Sequence, residues 1–321
     1  METVIEAIGI KKYFPVKKGF QTDYLRAVDD VTLSIKRGET LGLVGESGCG
    51  KSTLGRTLLM LTEPTAGVIK LCNEDLTKIS KSELRKKRNQ FQMIFQDPYA
   101  SLNPRHTVRK ILEEPMIIHN LRASKKERLE YMHELMESVG IDPYYINKKP
   151  GEFSGGQRQR IGIARALSMN PKLIVADEPV SALDVSIQSQ VLNLMIELKK
   201  KYGFACLFIS HNLSVVKYIS DRIAVMYLGK IVELTDKERI YSDCLHPYTK
   251  ALISAIPIPD PHLVRPKTIL KGDLPNAFNP PSGCAFHTRC PEATDICREK
   301  TPQLIEATPG HYIACHLYHK V

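Results

Sequence analysis

The chain lacks the signs of a membrane-spanning or secreted protein. Its 321 residues contain no unbroken apolar run of about 18 or more, the length that a bilayer-spanning helix needs. It opens Met1-Glu2-Thr3, not on a basic segment followed by an apolar one, so no secretory signal is expected. Without one, disulfides are not expected among its 8 cysteines. Basic patches interleaved with aromatics, on which unpaired bases stack, are also absent. There is no internal repeat and no heptad run, which excludes repeat architectures and long coiled coils.

What is present describes a globular protein. Hydrophobic residues make up 43% and charged residues 25%, and the length suits one large domain or two ordinary ones. The net charge of +10 favours anionic partners such as nucleic acid or a membrane surface. That charge gathers at residues 81–88 (KSELRKKR) and 125–128 (KKER), where a solvated helix face is the simpler reading.

One segment carries definite chemistry. Gly45-Glu46-Ser47-Gly48-Cys49-Gly50-Lys51-Ser52-Thr53 fits G-x-x-x-x-G-K-[ST] in full. The apolar Leu41-Gly42-Leu43-Val44 before it reads as a buried strand, and Leu54, Leu58, Leu59 and Leu61 after it suit a helix with one buried face. Glycines let successive N–H groups converge on a phosphate, and the helix N-terminus adds partial positive charge. Lys51 is expected on the β- and γ-phosphates, and the Ser52 hydroxyl on magnesium.

Before this loop, residues 4–10 and 31–35 read as strands, and Arg37-Gly38-Glu39 as a hairpin turn. Leu129, Met132, Leu135, Met136 and Val139 share one helix face, with Gly140 as its C-terminal cap. From about residue 172 short apolar strands alternate with a helix whose face is Ile187, Val191, Leu194, Met195 and Leu198. That alternation predicts a mostly parallel sheet covered on both sides. Cys206 sits in the apolar run 205–209 and reads as a core thiol. Pro257, Pro259, Pro261, Pro266, Pro275, Pro280 and Pro281 exclude a long helix and suggest an extended linker.

A second set of residues completes the chemistry. Residues 171–178 (PKLIVADE) form an apolar strand ending in Asp177, a magnesium-holding position. Glu178 follows at the strand end, where a carboxylate has general-base geometry. Capping a helix is the plainer use of such acids. Ser154-Gly155-Gly156-Gln157 precedes a helix and offers a second anion site. Gln96 follows the apolar Met93-Ile94, and His211 follows residues 207–210.

On these motifs the chain resembles the ATP-binding-cassette family of transport ATPases over residues 1 to about 255. The motifs come in family order: the loop at 45–52, Gln96, Ser154 to Gln157, Asp177-Glu178, the turn Ser181-Ala182-Leu183-Asp184, and His211. Phe153 departs mildly, standing where many members have leucine. The resemblance implies an α/β phosphate-loop NTPase with an antiparallel β subdomain and a helical subdomain at about 80–170. It also implies that Tyr13, or neighbouring Phe14, stacks on adenine, that Gln96 contacts magnesium or the attacking water, and that His211 contacts the γ-phosphate. Two such subunits would close head to tail, Ser154 of each serving the other's ATP.

Residues 95–104 (FQDPYASLNP), 181–188 (SALDVSIQ), 246–252 (HPYTKAL) and 279–291 (NPPSGCAFHTRCP) resemble the oligopeptide and dipeptide importers, in particular the second of their two ATPase subunits. Nickel importers share this architecture and stay as an alternative. A soluble cassette ATPase acting on nucleic acid or ribosomes is disfavoured by the single cassette. The resemblance implies a paralogous ATPase as heterodimer partner, two membrane permeases, a peptide-binding protein reached through the complex, no nucleic acid, and a peripheral place on the cytoplasmic face of the cell membrane. The ATPase domain would be 1–255, with a linker and cysteine module at 256–321.

In that module Cys284, Cys290, Cys297 and Cys315 are spaced C-x5-C-x6-C-x17-C, not as paired C-x2-C units. Thiolates suit zinc or an iron–sulfur cluster. Nearby His287, His311 and His316 keep a mixed zinc site open, and four free thiols are the plain alternative. The resemblance implies a [4Fe-4S] cluster stapling a tail that has little core of its own.

Overall fold

The computed structural model describes residues 2–19, 21–256 and 272–318. Pro257, Pro259, Pro261 and Pro266, on which much of the linker expectation rests, lie outside the described residues. The strands in chain order are β1 (Thr3–Lys18), β2 (Gln21–Lys36), β3 (Thr40–Val44), β4 (Ala66–Leu71), β5 (Glu74–Asp75), β6 (Phe91–Ile94), β7 (Leu173–Asp177), β8 (Ala205–Ile209), β9 (Arg222–Tyr227), β10 (Lys230–Asp236), β11 (Ile305–Thr308) and β12 (His311–Ile313). Two compact units emerge. One comprises Met1–Ile5, Ile35–Glu39 and Leu71–Phe208; the other comprises Glu6–Ser34, Thr40–Lys70 and Ile209–Val321.

In the first unit β8, β7 and β6 lie side by side, with β6 and β7 parallel and Ile94 opposite Ala176. Every residue of β7 and β8 is buried, Cys206 included. A strand buried on both faces needs a continuous apolar run, not alternation. The helix Lys125–Ser138 starts at Ser124, whose hydroxyl accepts the Glu127 N–H at 3.0 Å. It buries Met132, Leu135 and Met136, and Gly140 follows its end at φ +70°. The helix Val185–Tyr202 buries Val191, Leu194, Met195 and Leu198, as the spacing predicts, and leaves Ile187 half-buried. The basic stretch at 81–88 includes a helix, Lys81–Lys87, with no buried residue, in keeping with a solvated face.

In the second unit the order is β11, β12, β10, β9, β3. β3 and β9 are parallel; β9, β10, β12 and β11 pair antiparallel in succession. β2, β1 and β4 lie side by side in another sheet. The turn at 37–39, which belongs to the first unit, forms, closed by the Glu39 N–H on the Lys36 carbonyl at 3.1 Å. It is not a hairpin, because β2 and β3 belong to different sheets. β1 and β2 run 16 residues each, far longer than the apolar alternation suggested. The expected strands stop where apolar patterning stops, whereas a ladder continues as long as backbone groups find partners.

Candidate functional site

The phosphate-loop residues lie in the second unit, between β3 and the helix Lys51–Leu58. That helix begins without a side-chain cap and with no acidic residue in its first turn. Gly50 stands at φ +106°, where a Cβ would lie 2.0 Å from the Ala27 carbonyl oxygen, so only glycine fits. Lys51 is 5% exposed. Its Nζ donates to the carbonyls of Gly45 and Glu46, both at 2.9 Å, and so arches back over the loop. Ser52 and Thr53 are half-buried in the first turn; Ser47 and Gly48 are exposed at the loop's crest, and Cys49 is buried beneath it. Burial pushes the Cys49 thiol up, which keeps it uncharged.

Tyr13 is half-buried in the same unit. Its hydroxyl donates to Asp29, which also pairs with Lys230 at 2.9 Å, and the Arg26 guanidinium lies 5.8 Å from its ring. Burial and then the Asp29 carboxylate push the phenol up to about 12. His211 is exposed just beyond β8, and the Asn212 N–H following it donates to Ser210 Oγ at 3.0 Å.

The first unit holds the carboxylates. Asp177 ends β7 at 4% exposure. Glu178 leaves the strand at φ +47°, a left-handed conformation that non-glycine residues adopt at a cost. Its carbonyl accepts the Ser181 N–H at 3.2 Å and the Ser181 hydroxyl at 3.0 Å, which holds the bend. Because β6 lies parallel to β7, Gln96 emerges beside Glu178, and its Nε2 donates to Glu178 Oε2 at 3.3 Å. Residues 82 positions apart thus meet at the carboxyl ends of adjacent parallel strands, the edge where α/β sheets bind ligands.

Ser154 caps the helix Gly155–Leu167 with a reciprocal pair. Its Oγ accepts the Gln157 N–H at 3.3 Å, and Gln157 Oε1 accepts the Ser154 N–H at 2.9 Å. Ser154 and Gln157 are exposed. A Cβ on Gly156 would lie 2.5 Å from Ile187 Cγ2, so close helix packing explains this glycine.

The cysteine module belongs to the second unit. None of the four cysteines is in a disulfide. The Cys284 N–H donates to the Cys297 carbonyl at 2.8 Å. Burial first, then the charges of the other cysteines, push the Cys315 thiol up to about 11, and Cys284 and Cys290 shift the same way. As a donor set, four thiols suit iron or zinc. Among the described residues, however, no group of three or more His, Cys, Asp or Glu forms an arrangement able to hold a metal ion. The His311 Nε2 meets Glu233 at 2.7 Å, both side chains being buried.

Two residues at the phosphate loop escaped the sequence reading. The Tyr248 hydroxyl accepts the Glu46 N–H at 2.9 Å, and Arg289 grips the Glu46 carboxylate. Both stood inside motifs used only for resemblance, and no spacing rule links positions 202 or 243 residues apart.

Among the described residues no helix is long and apolar enough to cross a membrane. The family described as ABC transporter matches residues 28–181, and the oligopeptide/dipeptide transporter C-terminal region matches residues 232–297. The chain is 55% identical to the oligopeptide transport ATP-binding protein AppF of Bacillus subtilis, over 99% of this chain and 98% of that one. It is 56% identical to the putative oligopeptide transport ATP-binding protein YkfD of the same organism, over 98% and 95%. A solved dimeric structure of the ATP-binding cassette MJ0796, in a post-hydrolysis state with ADP and Pi, matches with a TM-score of 0.64 and 30% identity, over 73% of this chain and 98% of that one. The chain therefore belongs to the ATP-binding-cassette transporter ATPases, in the group that carries the oligopeptide/dipeptide transporter C-terminal region.

Proposed function

We propose that this chain hydrolyses ATP to drive the import of di- or oligopeptides through a membrane complex. The supporting observation is the join of a complete phosphate loop to a C-terminal region of the oligopeptide/dipeptide transporter kind in one chain. Near-full-length identity to a protein named for oligopeptide transport favours peptide over a metal chelate.

In this reading the loop from Gly45 to Thr53 cradles the phosphates, Lys51 neutralises the β- and γ-oxygens, and Tyr13 lies against the adenine. Ser52, Gln96 and Asp177 are the residues that would hold a magnesium ion, which would supply positive charge against that of the transferring phosphate. Glu178 takes the proton of the attacking water, and the Gln96 amide beside it orients both. His211 meets the γ-phosphate. Residues Ser154 to Gln157 close on the ATP of a paralogous ATPase, whose corresponding segment closes on this one. ATP then acts as a ligand that favours the closed pair, and hydrolysis releases it. Two permease subunits and a peptide-binding protein complete the assembly, with this chain peripheral on the cytoplasmic face. Residues 1–255 form the ATPase domain. Residues 256–321 form the linker and module, where Cys284, Cys290, Cys297 and Cys315 would hold a [4Fe-4S] cluster as a structural staple.

The test is peptide uptake into vesicles carrying the full complex. Glu178→Gln is expected to bind MgATP normally and to lose about 10²–10⁴ in turnover at this site, with uptake falling in step. Normal turnover in a complex whose other site is inactivated would sink the assignment. Iron and zinc analysis of anaerobically purified protein tests the module. About four irons per chain are expected, lost on Cys→Ser substitution; one zinc, or no metal in a folded module, overturns the cluster.

A further inference from the structure

Glu46 places a full negative charge in the phosphate loop itself. Left alone, that carboxylate would repel the phosphates the loop is built to hold. Its main chain is already committed: the N–H donates to the Tyr248 hydroxyl at 2.9 Å, and the carbonyl accepts from Lys51 Nζ at 2.9 Å. Its side chain is gripped at both oxygens by Arg289, Nη1 to Oε2 at 2.7 Å and Nη2 to Oε1 at 3.1 Å. A two-point fork of this kind fixes orientation as well as charge.

The Arg289 side chain is itself buried, at 7% exposed against 28% for Glu46. Its guanidinium lies 5.9 Å from the centre of the Tyr227 ring, and Tyr227, Tyr248 and Phe286 form a cluster with centroids 4.8–5.4 Å apart. Phe286 comes from the same turn as Arg289, whose N–H donates to the Phe286 carbonyl at 3.0 Å. The arginine therefore reaches Glu46 only when the C-terminal module is seated on this aromatic cluster. The hydrogen bonds to Glu46 raise the guanidinium's pKa further, so it stays charged at any working pH.

We propose that Arg289 is a positioning residue for nucleotide binding: it neutralises and fixes the Glu46 carboxylate, so that the seated C-terminal module keeps the phosphate loop competent for ATP. This rests on reading residues 45–53 as the nucleotide site.

The experiment is calorimetric titration of the folded full-length chain with MgATP, MgADP and AMP. The variants are Arg289→Ala, Glu46→Gln and the two together. Arg289→Ala is expected to weaken ATP binding about tenfold, ADP less and AMP least, because the exposed carboxylate acts on phosphate charge. Adding Glu46→Gln should restore most of the loss, since it removes the charge that needed an arginine. An arginine acting only as a structural strut predicts the opposite: equal losses for all three ligands and no recovery in the double variant. Either result overturns the proposal, as does an Arg289→Ala chain that binds ATP like wild type. A folded wild type that binds no MgATP overturns the reading of the loop as well.

Discussion

The phosphate loop and the cysteine module belong to one compact unit but are constructed differently. Residues 45–53 are contiguous, and their shape depends on Gly45 and Gly50, where a Cβ would lie 2.2 Å and 2.0 Å from backbone carbonyl oxygens. The module is assembled from distant pieces. β12 pairs with β10, the Ala314 N–H donates to the Val232 carbonyl at 2.9 Å, and Arg239 Nη1 reaches the Pro309 carbonyl at 2.8 Å. Phe286 is 1% exposed between Tyr227 and Tyr248. A loop that must wrap a small anion gains from local rigidity, whereas a short tail with little core gains stability by borrowing contacts.

The sharpest way to break this contrast is to unseat the module. Phe286→Ala is expected to cost about 3–5 kcal/mol, the loss of a fully buried aromatic and the cavity it leaves. Thermal melting and protease sensitivity after residue 272 would report it. ATP affinity should fall as well, because Arg289 leaves with the same turn. Intact affinity in a chain with a loosened module would show that the two regions are independent.

Acid should act next most strongly, again on the borrowed contacts. His246 is fully buried, and burial lowers its pKa from 6.5 to about 4. Its Nδ1 accepts the Tyr248 N–H at 3.1 Å, so protonation would remove the cap of the helix Pro247–Ser254. A lowered folded pKa means stability that is complete above about 6.5 and lost as pH falls towards about 4, on the order of 3 kcal/mol in all. Burial alone would raise Glu233, but hydrogen bonds from His311 and the Leu245 and His246 N–H groups hold it below its ordinary value. Its contribution therefore persists to lower pH and goes last. Denaturant midpoints measured from pH 7.5 to 4 should show the first loss, and His246→Asn should flatten it.

Gly50→Ala attacks the other side of the comparison. The strained backbone should cost roughly 1–3 kcal/mol, and MgATP binding should fail while the module keeps its protease resistance. Calorimetry and limited proteolysis of the same sample separate the two.

Ser154→Ala gives the scale of a purely local device and the smallest change. Losing the cap should cost about 1 kcal/mol, with nucleotide binding by the single chain unchanged and pairing with the proposed partner ATPase impaired. Equal loss of single-chain ATP binding would show that Ser154 serves its own site.

Much of the first unit was legible because its signals are local. Strand β7 is apolar from Leu173 to Ala176 and ends in Asp177, as its sequence reads. The helix face Val191, Leu194, Met195 and Leu198 is buried as its spacing requires. The Arg37-Gly38-Glu39 turn was legible as a turn but not as a passage between sheets, because turn chemistry fixes dihedral angles and not which strands pair. The [4Fe-4S] expectation came from resemblance, and cysteine spacing alone left iron and zinc equal.

What the sequence determined by itself is what lies within each short word: where glycines let a loop bend ahead of a helix, where a carboxylate ends a strand, where a serine and a glutamine cap a helix. These follow from backbone conformation and the reach of one side chain, so neighbouring residues suffice. The tertiary structure alone decided that Gln96 meets Glu178 across two parallel strands, and that Arg289 and Tyr248 close on Glu46. Those contacts depend on which strands pair and which faces pack, and that choice is made by burial summed over the whole chain, not by any segment within it.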